Sequence, residues 1–95
     1  MSVTNPAPQN VVIRTAIRFL EADELYSALQ LCLRLAESGP LPRSNPSVSP
    51  EELARVADRT YLQRQAIEHL RLLDFSVAVL YVRALRILDR GTVAV

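Results

Sequence analysis

Apolar residues recur at three- and four-residue spacing in four stretches of this chain, which predicts an all-α fold. The first begins after Asn10, a residue suited to cap a helix. It sets Val12, Ile13, Ala16, Ile17 and Leu20 on one face, with Arg14, Arg18 and Glu21 between them, and ends near Ala22. Asp23 can cap the second stretch, Glu24 to Ser38, and Gly39 offers a left-handed stop. Here only Ser27, Gln30, Arg34 and Glu37 form a polar stripe, and nearly every other position is apolar. Ser49-Pro50-Glu51-Glu52 opens the third stretch as a capping box, with serine at the cap, proline first and glutamate three residues past the cap. Its periodicity runs from Pro50 to about Leu72 and turns Leu53, Val56, Ala57, Tyr61, Leu62, Ala66, Ile67 and Leu70 inward. Asp74 can cap the last helix, residues 75–90, closed by Gly91. Its broad apolar surface leaves a stripe of Arg83, Arg86 and Arg90.

The segments between these stretches set the domain plan. Residues 1–9 hold Pro6 and Pro8 among small polar residues and lack a helical period, so they read as a flexible N-terminal arm. Residues 39–49 hold Pro40, Pro42 and Pro46 with Ser44 and Ser47, and read as a loop. The expected architecture is a single four-helix domain over 10–91, made of a hairpin at 10–38, the Pro- and Ser-rich loop at 39–49, and a hairpin at 50–91.

The two hairpins repeat. A shift of fifty residues aligns Arg14 with Arg64, Ala16 with Ala66, Ile17 with Ile67, Leu20 with Leu70, Ala28 with Ala78 and Leu35 with Leu85. Glu24-Leu25 falls on Asp74-Phe75, and small Ala28 and Ala78 mark where two helices would cross closely. At Asp74-Phe75-Ser76-Val77-Ala78 the second hairpin resembles the middle of a tetratricopeptide repeat, with an acidic residue, an aromatic and a small alanine at the turn. Glu24-Leu25-Tyr26-Ser27-Ala28 is a weaker echo. Ala16, Ala66 and Phe19 fit other positions of that repeat. The chain departs from the family in its period, which is fifty residues rather than about thirty-four. It also has no Trp opening either hairpin and no Pro closing one. The resemblance implies a surface for partner peptides or helices.

Composition narrows the function classes. Ninety-five residues make one modest core, and 49% apolar against 22% charged residues is a folding composition rather than a disordered one. One Cys and one His give neither a disulfide framework nor a cluster with metal-ligand spacing, so no metal and no cofactor is expected. Without a signal-like N-terminus or an apolar run near the roughly 20 residues a bilayer needs, the expected location is cytoplasmic, with no membrane partner. All 11 basic residues are Arg, a bias that the net charge of +1 conceals.

Candidate chemistry is sparse. His69 has no nucleophile or carboxylate at a recognisable spacing, so no catalytic residue and no enzyme is expected. Cys32 lies in the most apolar helix and reads as a small core residue that also touches the candidate groove. The apolar surfaces of the second and fourth predicted helices are wider than one-sided burial requires, which points to a groove for a partner. Leu29, Cys32, Leu33, Tyr81, Leu85 and Leu88 are the candidate contacts, with Arg34, Arg83, Arg86 and Arg90 as an anion-selecting rim. The expected function is a non-enzymatic protein-interaction or adaptor domain that docks a helix, a peptide or a second copy as a homodimer. The alternative is a dimeric helical RNA-binding protein of the viral-accessory type, using the Arg-rich helix faces.

Overall fold

A computed structural model of the chain describes residues 9–38 and 48–91. The expected N-terminal arm up to residue 8 and the loop at 39–47, with Gly39, lie outside the described residues. The protein is all-helical, with α1 (Gln9–Glu21), α2 (Leu25–Ser38), α3 (Pro50–Val56), α4 (Arg59–Arg71) and α5 (Phe75–Gly91).

A fifth helix arises because the stretch expected to run unbroken from Pro50 to Leu72 is split in two. Ser49 does cap its start, its hydroxyl oxygen accepting the Glu52 N–H at 3.2 Å. Ala57 then takes an extended conformation, and Asp58 restarts the chain by accepting the Tyr61 N–H on its carboxylate at 2.8 Å. A free N-terminus of four unbonded N–H groups makes such a cap worthwhile wherever a short acidic side chain precedes a turn. The break rotates α3 relative to α4, so Val56 and Tyr61, both expected inward, are instead exposed, Val56 at 80%. At the far end α5 runs through Gly91 rather than stopping before it.

The two tight turns are built alike. After α1 the Asp23 N–H donates to the Leu20 carbonyl at 3.1 Å and the Glu24 N–H to the Phe19 carbonyl at 2.8 Å. After α4 the Leu73 N–H donates to Leu70 at 3.1 Å and the Asp74 N–H to His69 at 2.8 Å. Each is a Schellman closure whose central residue must adopt a positive φ, and Asp23 (68°) and Leu73 (64°) do so. Asp23 is thus the left-handed residue closing α1, not the cap of α2 expected from sequence.

Helix contacts follow the same duplication. α1 packs on α2, α4 on α5, α2 on α5 and α1 on α4, while the backbones of the diagonal pairs do not approach closely. The start of α4 meets the end of α1, since Gln63 Nε2 donates to the Leu20 carbonyl at 2.6 Å and Arg59 reaches Asp23. Arg59 also reaches Asp89 near the end of α5, so neighbouring helices run antiparallel around the ring. Equivalent positions fill the centre. Ala16 and Ala66, Leu20 and Leu70, Ala28 and Ala78, Cys32 and Val82 are all fully buried, and Leu25 with Phe75 and Leu35 with Leu85 nearly so. The alanines allow close approach of helix backbones, and the leucines supply most of the apolar area that drives collapse.

The equivalence fails at one face. α3 packs on α5, with Leu53, Ala54 and Ala57 against the core, and Ala84 beneath is sealed. The position equivalent to Ala84 is the exposed Arg34 on α2, where no described helix lies. α5 therefore touches three helices, which accounts for its broad apolar surface.

Candidate functional site

Bundle formation spends much of the apolar surface that the sequence assigned to a partner. Cys32 and Leu85 are sealed in the core, and Leu29 leaves only a narrow edge exposed. A partner could reach Cys32 and Leu85 only if α2 and α5 separated. Burial pushes the Cys32 thiol up to about 12, so it stays protonated and unreactive in the fold. Leu88 is half-buried against the core. Tyr81 is engaged within the chain, its ring stacked on His69 at 5.3 Å. Burial, with smaller contributions from the charge of Tyr61 and a hydrogen bond to it, raises its pKa. His69 Nδ1 lies 2.8 Å from the Gln65 carbonyl, which accepts, and this places the proton of the neutral ring on Nδ1. Leu33 and Arg34 lie on the outer face of α2, where with Gln30, Leu31 and Glu37 they border a depression of about 400 Å³.

The rim arginines part company. Arg34 belongs to the outer face of α2, whereas Arg83, Arg86 and Arg90 converge on a second pocket of about 350 Å³ between α5, the start of α3 and Leu29 of α2. Arg59, by contrast, shows how a structural arginine is used here. Its Nη2 lies 2.6 Å from both carboxylate oxygens of Asp23, and its Nη1 is 3.3 Å from Asp89 Oδ1. Hydrogen bonding to Asp23 holds its pKa above the ordinary arginine value.

Sequence reasoning missed the largest of these surfaces. A groove of about 540 Å³ lies between α1 and the C-terminal end of α4. Ile13 and Leu70 form its buried floor, the half-buried Ile17 and the exposed Leu73 rise beside them, and Arg14, Arg18 and Arg71 stand around it. Among the described residues Glu21 is the one carboxylate that borders it, and none of the three arginines has an ion pair. Leu72 and Leu73 make the α4–α5 turn strongly apolar, with 64% and 45% of their surfaces exposed, where the first hairpin has Ala22 and Asp23. The sequence signal was the pairing of Ile13 and Ile17 with Arg14 and Arg18 on adjacent lines of one helix. It read as an ordinary amphipathic face until α4 was placed beside it.

Among the described residues no group of three His, Cys, Asp or Glu side chains could hold a metal ion, and no helix is long and apolar enough to cross a membrane. No protein-family model matches the chain, and neither a curated protein nor a solved structure matches it.

Proposed function

We propose that this protein is a non-enzymatic interaction domain whose α1/α4 groove docks an acidic amphipathic helix. The observation that carries this reading is an apolar floor of Ile13, Ile17, Leu70 and Leu73 bordered by three arginines and one carboxylate. Apolar side chains of a docked helix fill such a floor at i, i+3 or i+4 and i+7 and supply affinity. The arginines select for glutamates or aspartates on its flanks and speed encounter. Leu73 strengthens the case, because a leucine in left-handed backbone conformation costs about 1 to 2 kcal/mol, and an exposed one recovers little of that through burial. The helical-hairpin resemblance read from Asp74-Phe75-Ser76-Val77-Ala78 favours the same mode of use, a surface for helices or peptides.

A nitrogen-15-labelled full-length chain titrated with a synthetic 16-residue peptide, leucine at every third or fourth position and glutamate between, tests this. Shifts should concentrate at Ile13, Ile17, Leu70 and Leu73, and Ile17→Glu or Leu73→Asp should remove them without loss of helicity. Shifts confined to α2 and α5 would overturn the site. Concentration-dependent shifts at the same residues without peptide would identify a second copy as the occupant and the protein as a homodimer.

A further inference from the structure

We infer that the Arg83/Arg86/Arg90 pocket, together with Tyr26, is a binding site for single-stranded nucleic acid, separate from the α1/α4 groove. The three arginines sit at i, i+3 and i+7 on α5, so about 10 Å of helix carries three guanidinium groups along one line. All three border the same pocket, with Leu29 and Ile87 as its aliphatic floor and, among the described residues, Glu51 as its one carboxylate. Neither Arg83 nor Arg90 has an ion pair or hydrogen bond among the described residues. Like charges spaced this way on a helix repel one another.

Tyr26 distinguishes a nucleic acid from other polyanions. It lies one helical turn before Leu29 on α2, and the Arg86 guanidinium sits over its ring, 5.5 Å from the centroid. The side chain is nevertheless 63% exposed, far more than a tyrosine placed for core burial. An exposed ring beside a line of unpaired arginines provides what a flexible strand uses, cations for successive phosphates and a π-face on which a base stacks. The carboxylates of an acidic peptide would not stack on the ring as a base does. The α1/α4 groove has the reverse character, with an apolar floor and no aromatic side chain along it.

The test is fluorescence anisotropy of a labelled ten-nucleotide oligouridine with the full chain at two salt concentrations. With three phosphate contacts, log K should fall against log salt with a slope of about −2, roughly twentyfold between 50 and 200 mM. Arg83→Gln with Arg90→Gln should leave a slope near about −0.7. Tyr26→Ala should weaken binding about tenfold at unchanged slope, with Tyr26→Phe close to wild type. Glu51→Gln should tighten binding by about two- to threefold by removing the opposing charge. Helicity by circular dichroism confirms that each variant is folded. The inference is overturned by absence of binding at 50 mM salt and tens of micromolar protein. An abasic strand or a polyglutamate peptide binding as well as oligouridine would also overturn it, as would an unchanged affinity in Tyr26→Ala. Because none of these residues lines the α1/α4 groove, failure here leaves the peptide-docking reading to its own experiment.

Discussion

Asp23 and Leu73, fifty residues apart, hold the same left-handed backbone position in two turns with the same pair of closing hydrogen bonds. The pair differs in what that position costs. An aspartate tolerates positive φ and is here fixed by Arg59, whereas a leucine gains no local hydrogen bond and clashes through its Cβ. Leu73→Gly should therefore raise unfolding free energy by about 1 kcal/mol in urea titration, while weakening peptide binding in the α1/α4 groove. Asp23→Gly should give no comparable gain, because it removes the Arg59 bridge. A loss of stability in Leu73→Gly would show that contacts of the leucine side chain outweigh its backbone strain.

Leu20 and Leu70 are fully buried at equivalent places, so truncating either should open a similar cavity. Leu20→Ala and Leu70→Ala are each expected to lose about 2 to 5 kcal/mol, a large share of what a domain this small can hold. Ala16→Leu and Ala66→Leu should lose about 1 to 3 kcal/mol by forcing the helices apart. Denaturant midpoints of the four variants check both the size of each loss and its agreement within each pair.

Cys32 makes stability depend on alkaline pH. Its folded-state pKa of about 12 lies above the ordinary thiol value of 9.0, so between those values the unfolded chain releases a proton that the folded chain keeps. The Cys32 contribution is thus fully present below pH 9.0 and is lost as pH rises toward 12, at about 1.4 kcal/mol per pH unit. Cys32→Val places in α2 the residue found at the equivalent Val82 and should flatten the stability curve above pH 9 relative to wild type. A maleimide or disulfide reagent at pH 8 should label Cys32 only as fast as the bundle opens.

Asp58 starts α4, and Asp58→Ala should cost about 1 kcal/mol, within the ordinary range for an N-cap. Arg59→Gln, one residue on, should cost less than about 1 kcal/mol because the arginine and both carboxylates are largely solvated. Its effect should shrink as salt is added, while the effect of Asp58→Ala should not. Thermal unfolding at low and high salt separates the two.

The duplicated half of the fold was legible because Ala16, Ala66, Leu20 and Leu70 face one centre at equal spacing, and a period of fifty carries through to the buried set. The break at Ala57 and Asp58 was not. Apolar residues on both sides of it continue the same count, so the phase change that exposes Val56 and Tyr61 leaves no gap in the pattern. Only Asp58 three residues before Tyr61 signals a new start, and an isolated aspartate inside a periodic run is equally compatible with a solvated helix face. The broad apolar surface of α5 in the sequence does not reveal how many helices meet it, and in the fold it packs on three neighbours. The α1/α4 groove was hidden for a different reason. Its walls lie roughly fifty to sixty residues apart in sequence, and neither wall is distinctive until the other stands beside it.

The pair α1 and α2 packs on the pair α4 and α5 with equivalent positions buried, so each pair meets a surface resembling its own. Such a surface does not distinguish a hairpin of the same chain from that of a neighbouring molecule. The places where the halves have diverged, Ala84 under α3 against a solvated Arg34, and Leu73 against Asp23, then favour the intact heterologous pair over two identical halves. They also give the molecule two unlike sides from one repeated plan.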